Sequence, residues 1–125
     1  MTANVPMNIE MERTVLGGIM IFDSGMAFCH DADLQSEEFY LAQHQTLYAA
    51  MLEMDERKMP LDSLSVISYL RDSNKLDVVG GENYILDLAD AAVSDTVISA
   101  YITEIQNKAQ QRAIMHKAAE IQNMD

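Results

Sequence analysis

The sequence holds no tryptophan, two prolines and a single cysteine, Cys29. One cysteine excludes an internal disulfide, so a reducing cytoplasm is the expected setting. No apolar run approaches the roughly 18 residues that a membrane span needs. Met1-Thr2-Ala3-Asn4 lacks the basic and apolar regions of a signal peptide. Bases are scarce too: 8 Lys and Arg stand against 20 Asp and Glu, a formal net charge of −12. The first 56 residues hold half of the acids and one base, Arg13. Such a surface repels phosphate, which argues against direct nucleic-acid binding. It suits a basic protein partner, or simply solubility.

Apolar residues are plentiful: 49 % of the chain is hydrophobic and ten residues are methionine. A length of 125 residues fits one domain with an aliphatic, Met-filled core. Period-two alternation is not sustained anywhere, which excludes strands and makes the class all-α. Asn8 is placed to cap a first helix, with Glu10 and Glu12 favouring its positive end. Met11, Val15, Ile19 and Phe22 form the ridge of that helix, and Gly17-Gly18 within it predicts close approach by another helix. A short helix and turn follow over Met26–Leu34, then one helical turn capped by Ser36. A longer helix over Leu41–Lys58 buries Leu47, Tyr48, Met51, Leu52 and Met54. Asp62 or Ser63 caps the next, with Leu64, Ile67, Tyr69 and Leu70 inside. Leu76–Val79 reads as a short extended link, and Gly80-Gly81 opens a helix carrying Tyr84, Ile85, Leu88 and Ala92.

From Asp95 to Asp125 there is neither Pro nor Gly, and Ser94, Asp95 and Thr96 offer capping oxygens. Ile98, Tyr101, Ile102, Ile105 and Ala109 fall on one face of this long helix. At about 100° per residue, Ile114, Ala118 and Ile121 fall on nearly the opposite face. A stripe that changes sides requires two different packing partners.

Signatures of catalysis and metal binding are absent. Cys29-His30 with Asp31 and Asp33 lacks a CxxC or HxxxH framework and reads as a helix-end cluster. A nucleophilic Cys29 would need a base that spacing does not supply, so a small buried residue is expected. His116 and Glu120, one turn apart, read as an exposed ion pair, and His44 as a hydrogen-bonded, partly buried histidine. Gly80-Gly81 is a tight helix entry: neither GxxxxGK[ST] nor GxGxxG occurs. Asp87 and Asp90 read as solvated acids. No catalytic residue, metal site or cofactor is therefore expected in this chain. A small helical enzyme or metal protein using Cys29, His30 and His116 is the reading set aside.

Several segments together resemble the N-terminal domain of DnaB-type replicative DNA helicases. They are Ile9-Glu10-Met11-Glu12-Arg13-Thr14-Val15-Leu16-Gly17-Gly18; Glu38-Phe39-Tyr40 with His44 and Leu47-Tyr48; Pro60-Leu61-Asp62 with Ser65; Val79-Gly80-Gly81 with Tyr84-Ile85 and Leu88; and Ala100-Tyr101 with Ile105. Order and spacing hold from about residue 5 to the end. Departures at Asn8, Met11, Leu41-Ala42-Gln43 and Ala92-Val93-Ser94 point to a divergent member, of the kind that phages and plasmids encode.

The resemblance implies a compact head domain of six to seven helices, ending in a long helix that is the first half of a helical hairpin. Residues 1–8 would be an arm, 9–94 the head and 95–125 that long helix. Hairpins in this family pair subunits, and three dimers form a collar on a hexameric ring. The collar recruits the C-terminal domain of primase, with the helicase loader as a further partner. ATP and Mg²⁺ belong to a separate RecA-like motor; the second hairpin helix, the linker and the motor are absent from these residues. Tyr84, Met115 and Ile121 match positions linked to primase contact, Met115 by type only, since an aliphatic such as Ile is usual there. Ile114 and Ala118 share their strip, as primase or hairpin contacts. The alternative is a stand-alone mimic of the helicase head that modulates a host helicase, primase or loader.

Overall fold

The computed structural model describes residues 4–92 and 94–124. Met1, Thr2, Ala3, Val93 and Asp125 lie outside the described residues, so the arm expected over 1–8 is described from Asn4 onward. Among the described residues six α-helices follow one another: α1 (Ile9–Ile21), α2 (Gly25–Asp31), α3 (Ala42–Glu56), α4 (Ser63–Asp72), α5 (Glu82–Ala91) and α6 (Ile98–Gln122). Single 3₁₀ turns, Ser36–Glu38 and Asp95–Val97, precede α3 and α6. Among the described residues there is no strand, and the fold is all-α with a long terminal helix as expected.

Helix α1 is the centre of the head, packed against α2, α3, α5 and α6. Asn8 caps it by accepting from the Met11 amide at 3.0 Å. Val15, Leu16 and Ile19 then meet the core, which Leu47, Met51, Leu70, Ile85 and Ile102 fill from the other helices. The glycine pair is the contact surface that the sequence predicts. Gly17 faces the backbone of Leu88 on α5, and Gly18 faces the side chain of Ile98 on α6.

Asp62 caps α4, accepting from the Ser65 amide at 3.1 Å. The buried face of α4 holds Ile67 and Leu70 as expected, but with Val66 in place of Leu64 and Tyr69; Leu64 is 69 % exposed and Tyr69 only half-buried. The reason is angular. On a helical wheel Leu64 and Tyr69 each lie about 110° from the centre of the face set by Val66, Ile67 and Leu70.

Leu76–Val79 is a chain of turns, not an extended link. The amides of Val79 and Gly81 bond the carbonyls of Lys75 and Leu76 at 3.2 and 2.9 Å. This compact path buries Val79 while Val78 points outward. Gly80 and Gly81, at φ 114° and 87°, take left-handed backbone that side chains resist. Two starts differ from expectation. Ser36 lies inside its 3₁₀ turn, and the Gln35 amide donates to Glu38 Oε1 at 2.8 Å to hold the entry. Ser94 Oγ accepts from the Thr96 amide at 3.2 Å, but this caps the 3₁₀ turn, so α6 proper starts at Ile98 and not at Asp95.

Candidate partner-binding surface

The long helix is built in two parts. Ile98, Ile102 and Ile105 are buried in the head, and Tyr101 packs at its margin. Polar tethers continue the attachment. Gln106 Nε2 donates to the Ala32 carbonyl at 2.9 Å. Arg112 donates to the Pro6 carbonyl at 2.8 Å and the Glu38 carbonyl at 2.9 Å, with its guanidinium over the Tyr40 ring at 5.4 Å. Every residue from Ala113 to Met124 is exposed. At 1.5 Å per residue, α6 therefore carries roughly 15 Å of helix past its last tether.

Along that free end Ile114 and Ile121 are 62 % and 68 % exposed, and Ala118 lies between them on the same stripe. Met115, 39 % exposed, flanks the stripe about 100° away. His116 and Glu120 form the expected ion pair, Nε2 to Oε1 at 3.0 Å. Of the five residues expected to contact a partner, three thus share one exposed stripe and Met115 flanks it.

Tyr84, the fifth, sits elsewhere, half-buried on α5 within the head. Its hydroxyl lies 2.6 Å from His44 Nε2, and His44 Nδ1 lies 2.7 Å from Glu12 Oε1. Glu12 also accepts from the Tyr40 amide at 2.6 Å, just ahead of α3. With Nδ1 donating to the carboxylate, a neutral imidazole offers Nε2 to accept from the tyrosine hydroxyl. The Tyr84 ring stacks on His44, their centroids 6.0 Å apart, and Arg13 lies over it at 5.2 Å.

Sequence reasoning missed this network. Glu12 reads only as an acid favouring a helix start, yet it is buried, at 1 % exposure; His44, expected to be partly buried, is wholly so. The available signal was the recurrence of Glu12, His44 and Tyr84 in three separate motif segments, which meet here on α1, α3 and α5. Among the described residues no buried side-chain nitrogen or oxygen lacks a partner.

The remaining candidates are structural. Cys29 is fully buried, and burial pushes its thiol from 9.0 up to about 12, the wrong direction for a nucleophile. His30 turns to Asp55, with Nε2 2.7 Å from Oδ2, rather than toward its neighbours Asp31 and Asp33. Among the described residues, no three His, Cys, Asp or Glu gather as metal ligands would. No described helix is long and apolar enough to cross a membrane.

A family model described as the DnaB-like helicase N terminal domain matches residues 4–107. The chain belongs to that family. Among similar proteins are the replicative DNA helicase DnaC of Bacillus subtilis (strain 168), 33 % identical over 116 residues, and the replicative DNA helicase DnaB of Treponema pallidum (strain Nichols), 32 % identical over 113. These alignments take in 93 % and 90 % of this chain but 25 % and 26 % of the relatives. The chain thus spans about a quarter of the length of the relatives it matches, and the match is to their N-terminal domain.

In three dimensions it is similar to the N-terminal domain of DnaB helicase from Mycobacterium tuberculosis. That comparison gives a TM-score of 0.89 at 24 % identity, over 94 % of this chain and 84 % of that one, and supports the fold. It is also similar to a DnaB-like replicative helicase described with its interactions with primase. There the TM-score is 0.76 at 25 % identity, over 91 % of this chain and 27 % of that one.

Proposed function

We propose that this DnaB-like N-terminal domain is the assembly and protein-interaction module of a hexameric replicative DNA helicase. It pairs subunits through α6 into a collar and offers a docking surface to the C-terminal domain of primase, with the helicase loader as a further partner. The observation that carries this is the apolar strip of Ile114, Ala118 and Ile121 on a helix that has left its own domain. An exposed stripe at helical spacing is the form a helix-to-helix contact takes. A similar helicase has been described together with its interactions with primase, which supports the second half of the proposal.

The five residues divide the work. Ile114, Met115, Ala118 and Ile121 supply apolar area on α6. Tyr84 supplies a half-buried ring whose orientation is fixed by His44 and Glu12. ATP hydrolysis and its Mg²⁺ belong to the motor of the whole helicase, in the cytoplasm, and this domain contributes no catalytic group or cofactor. Sedimentation across a concentration series tests self-association, and calorimetry against a primase C-terminal domain tests recruitment. Each of Tyr84→Ala and Ile121→Ala should weaken primase binding roughly tenfold or more, as apolar anchors do. Tyr84→Phe, which keeps the ring and loses only the hydroxyl bond, should bind nearly as the parent does. Wild-type affinity in both alanine variants refutes the interface.

A further inference from the structure

The turn between α3 and α4 carries an independent surface. Met59 lines three adjoining clefts of about 350, 420 and 400 Å³. The first is lined by Met20, Met26 and Leu61 together with Asp23, Asp55 and Asp62. The second runs along the outer side of α4, past Pro60, Leu64 and Tyr69 to Asp72. The third adds Glu53 and Arg57. Leu64, the helix residue that the core leaves out, lines the second cleft at 69 % exposure.

Charge here is one-sided. Five acids line the clefts, with Arg57 as the one base among the lining residues and Lys58 just outside. Arg57 is engaged within the fold, bonding Glu53 at 3.2 Å and lying 5.9 Å from the Tyr69 ring centroid. One of the acids is also badly placed for its own helix. Asp72 is the last residue of α4, whereas Asp23, just before Ser24 and α2, sits at a favourable helix start. Negative charge at a helix C-terminus opposes the dipole. Arg71, the base in the last turn of α4, reaches away to Glu82 at 3.2 Å. Where a fold keeps an unfavourable charge without internal compensation, a functional site is the expected explanation.

We propose that the α3–α4 turn docks a basic amphipathic segment of a partner protein. Apolar side chains of that segment seat on Met59, Leu64 and Tyr69, and its lysines or arginines reach Asp23 and Asp72. Methionine side chains adapt to varied apolar anchors, and the acids supply complementarity and steering. The sign of the field turns away nucleic acid and anionic lipid. No residue of α6 lines the three clefts, so this proposal and the α6 contact stand or fall separately.

The test uses the whole chain, nitrogen-15 labelled, titrated at low salt with a synthetic helical peptide of leucine and lysine. The same peptide with glutamate for lysine is the control. The basic peptide should shift amides around Asp23, Met59 and Leu64 while those of Ile114 to Ile121 stay, and the acidic one should shift neither. Asp23→Asn with Asp72→Asn should weaken binding about tenfold, a typical loss for two complementary charges. Asp87→Asn with Asp90→Asn, which removes the same charge from α5, should weaken it less than about twofold, since those acids lie outside the clefts. Leu64→Ser, on an exposed site that leaves the fold intact, should also weaken it. Absence of binding, shifts spread over the whole surface or centred on α6, or equal losses in the two double variants would each overturn the proposal.

Discussion

Replacing Gly17 by alanine sets two opposed effects against each other. On an open helix the change stabilises by about 1 kcal/mol, because glycine loses more backbone freedom than alanine. In α1 the added Cβ would stand 1.9 Å from the Leu88 carbonyl oxygen and 2.9 Å from its carbon. Ordinary contact starts near 3.4 Å, so α5 must retreat by about 1.5 Å, the difference between 3.4 and 1.9 Å. The obstacle is backbone and cannot rotate aside. Nor is α5 free to move, since it packs on α4 and its Tyr84 is bonded to His44. Overpacking costs about 1–3 kcal/mol where a core can adjust, and the upper end applies here. The net loss is about 2 kcal/mol, or roughly 8 °C in Tm for a domain of this size.

Gly18→Ala is the internal control. Its Cβ meets Ile98 Cδ1 at 2.5 Å, the movable end of a side chain, and a rotamer change relieves most of the conflict. Thermal and urea unfolding followed by circular dichroism should place Gly17→Ala well below the parent and Gly18→Ala close to it. A Gly17→Ala variant as stable as the parent, or equal melting of the two variants, refutes the claim that backbone contact governs this site.

Three further outcomes follow from the geometry. Glu12→Ala leaves the Tyr40 amide and His44 Nδ1 without their buried acceptor and should destabilise by about 3–5 kcal/mol in urea titrations. A loss under about 1 kcal/mol would show that water replaces the carboxylate. Arg112→Ala removes both bonds from the guanidinium to backbone carbonyls; faster hydrogen exchange from Gln106 onward should result, with the core around Ile102 unchanged. The pH dependence follows from Cys29, whose thiol burial raises from 9.0 to about 12. The unfolded chain ionises first, so stability should hold below pH 9 and fall as pH rises toward 12, by at most about 1.4 kcal/mol per pH unit for this one group. Burial raises Tyr48 as well, which acts in the same direction. Cys29→Ala should make the alkaline decline shallower, and an unchanged slope would remove the thiol from the account.

How much of this was legible in the sequence depends on the range of the interaction. Helix content, the cap at Asn8, the close approach at Gly17-Gly18 and the reversed stripe on α6 are all set by residues within a turn or two of each other. Periodicity reads such features directly. Leu64 shows the limit: a residue near the edge of an apolar face is assigned by a few tens of degrees, and the neighbouring helix decides. Leu76–Val79 failed for a related reason, since a segment as short as Leu-Asp-Val-Val is equally an extended link or a series of turns that delivers Val79 inward. The Glu12–His44–Tyr84 network was beyond local reading altogether. Its members are 32 and 40 residues apart, and nothing near Glu12 distinguishes a buried carboxylate from one that favours a helix start. Only the resemblance, by setting three motif segments side by side, gave any sign that they meet.

The two halves of α6 differ in what keeps them helical. Up to Arg112, burial of Ile98, Ile102 and Ile105 and the polar tethers hold the chain to the head. Beyond it, Ala113 to Gln122 has only its own hydrogen bonds and the exposed His116–Glu120 pair. About ten residues are too few to form a helix alone in water, so this end exists as an extension of a nucleus that the head supplies. Its side chains suit that role, since alanine, glutamine and lysine favour the helix and no glycine or proline interrupts it. Yet propensity alone does not explain Ile114 and Ile121, which cost solubility where they stand and stabilise nothing in the head. Their presence fits the partner contact proposed for this strip. A helix already continued from the core would meet such a partner with part of its ordering cost met in advance, which favours affinity without added contact area.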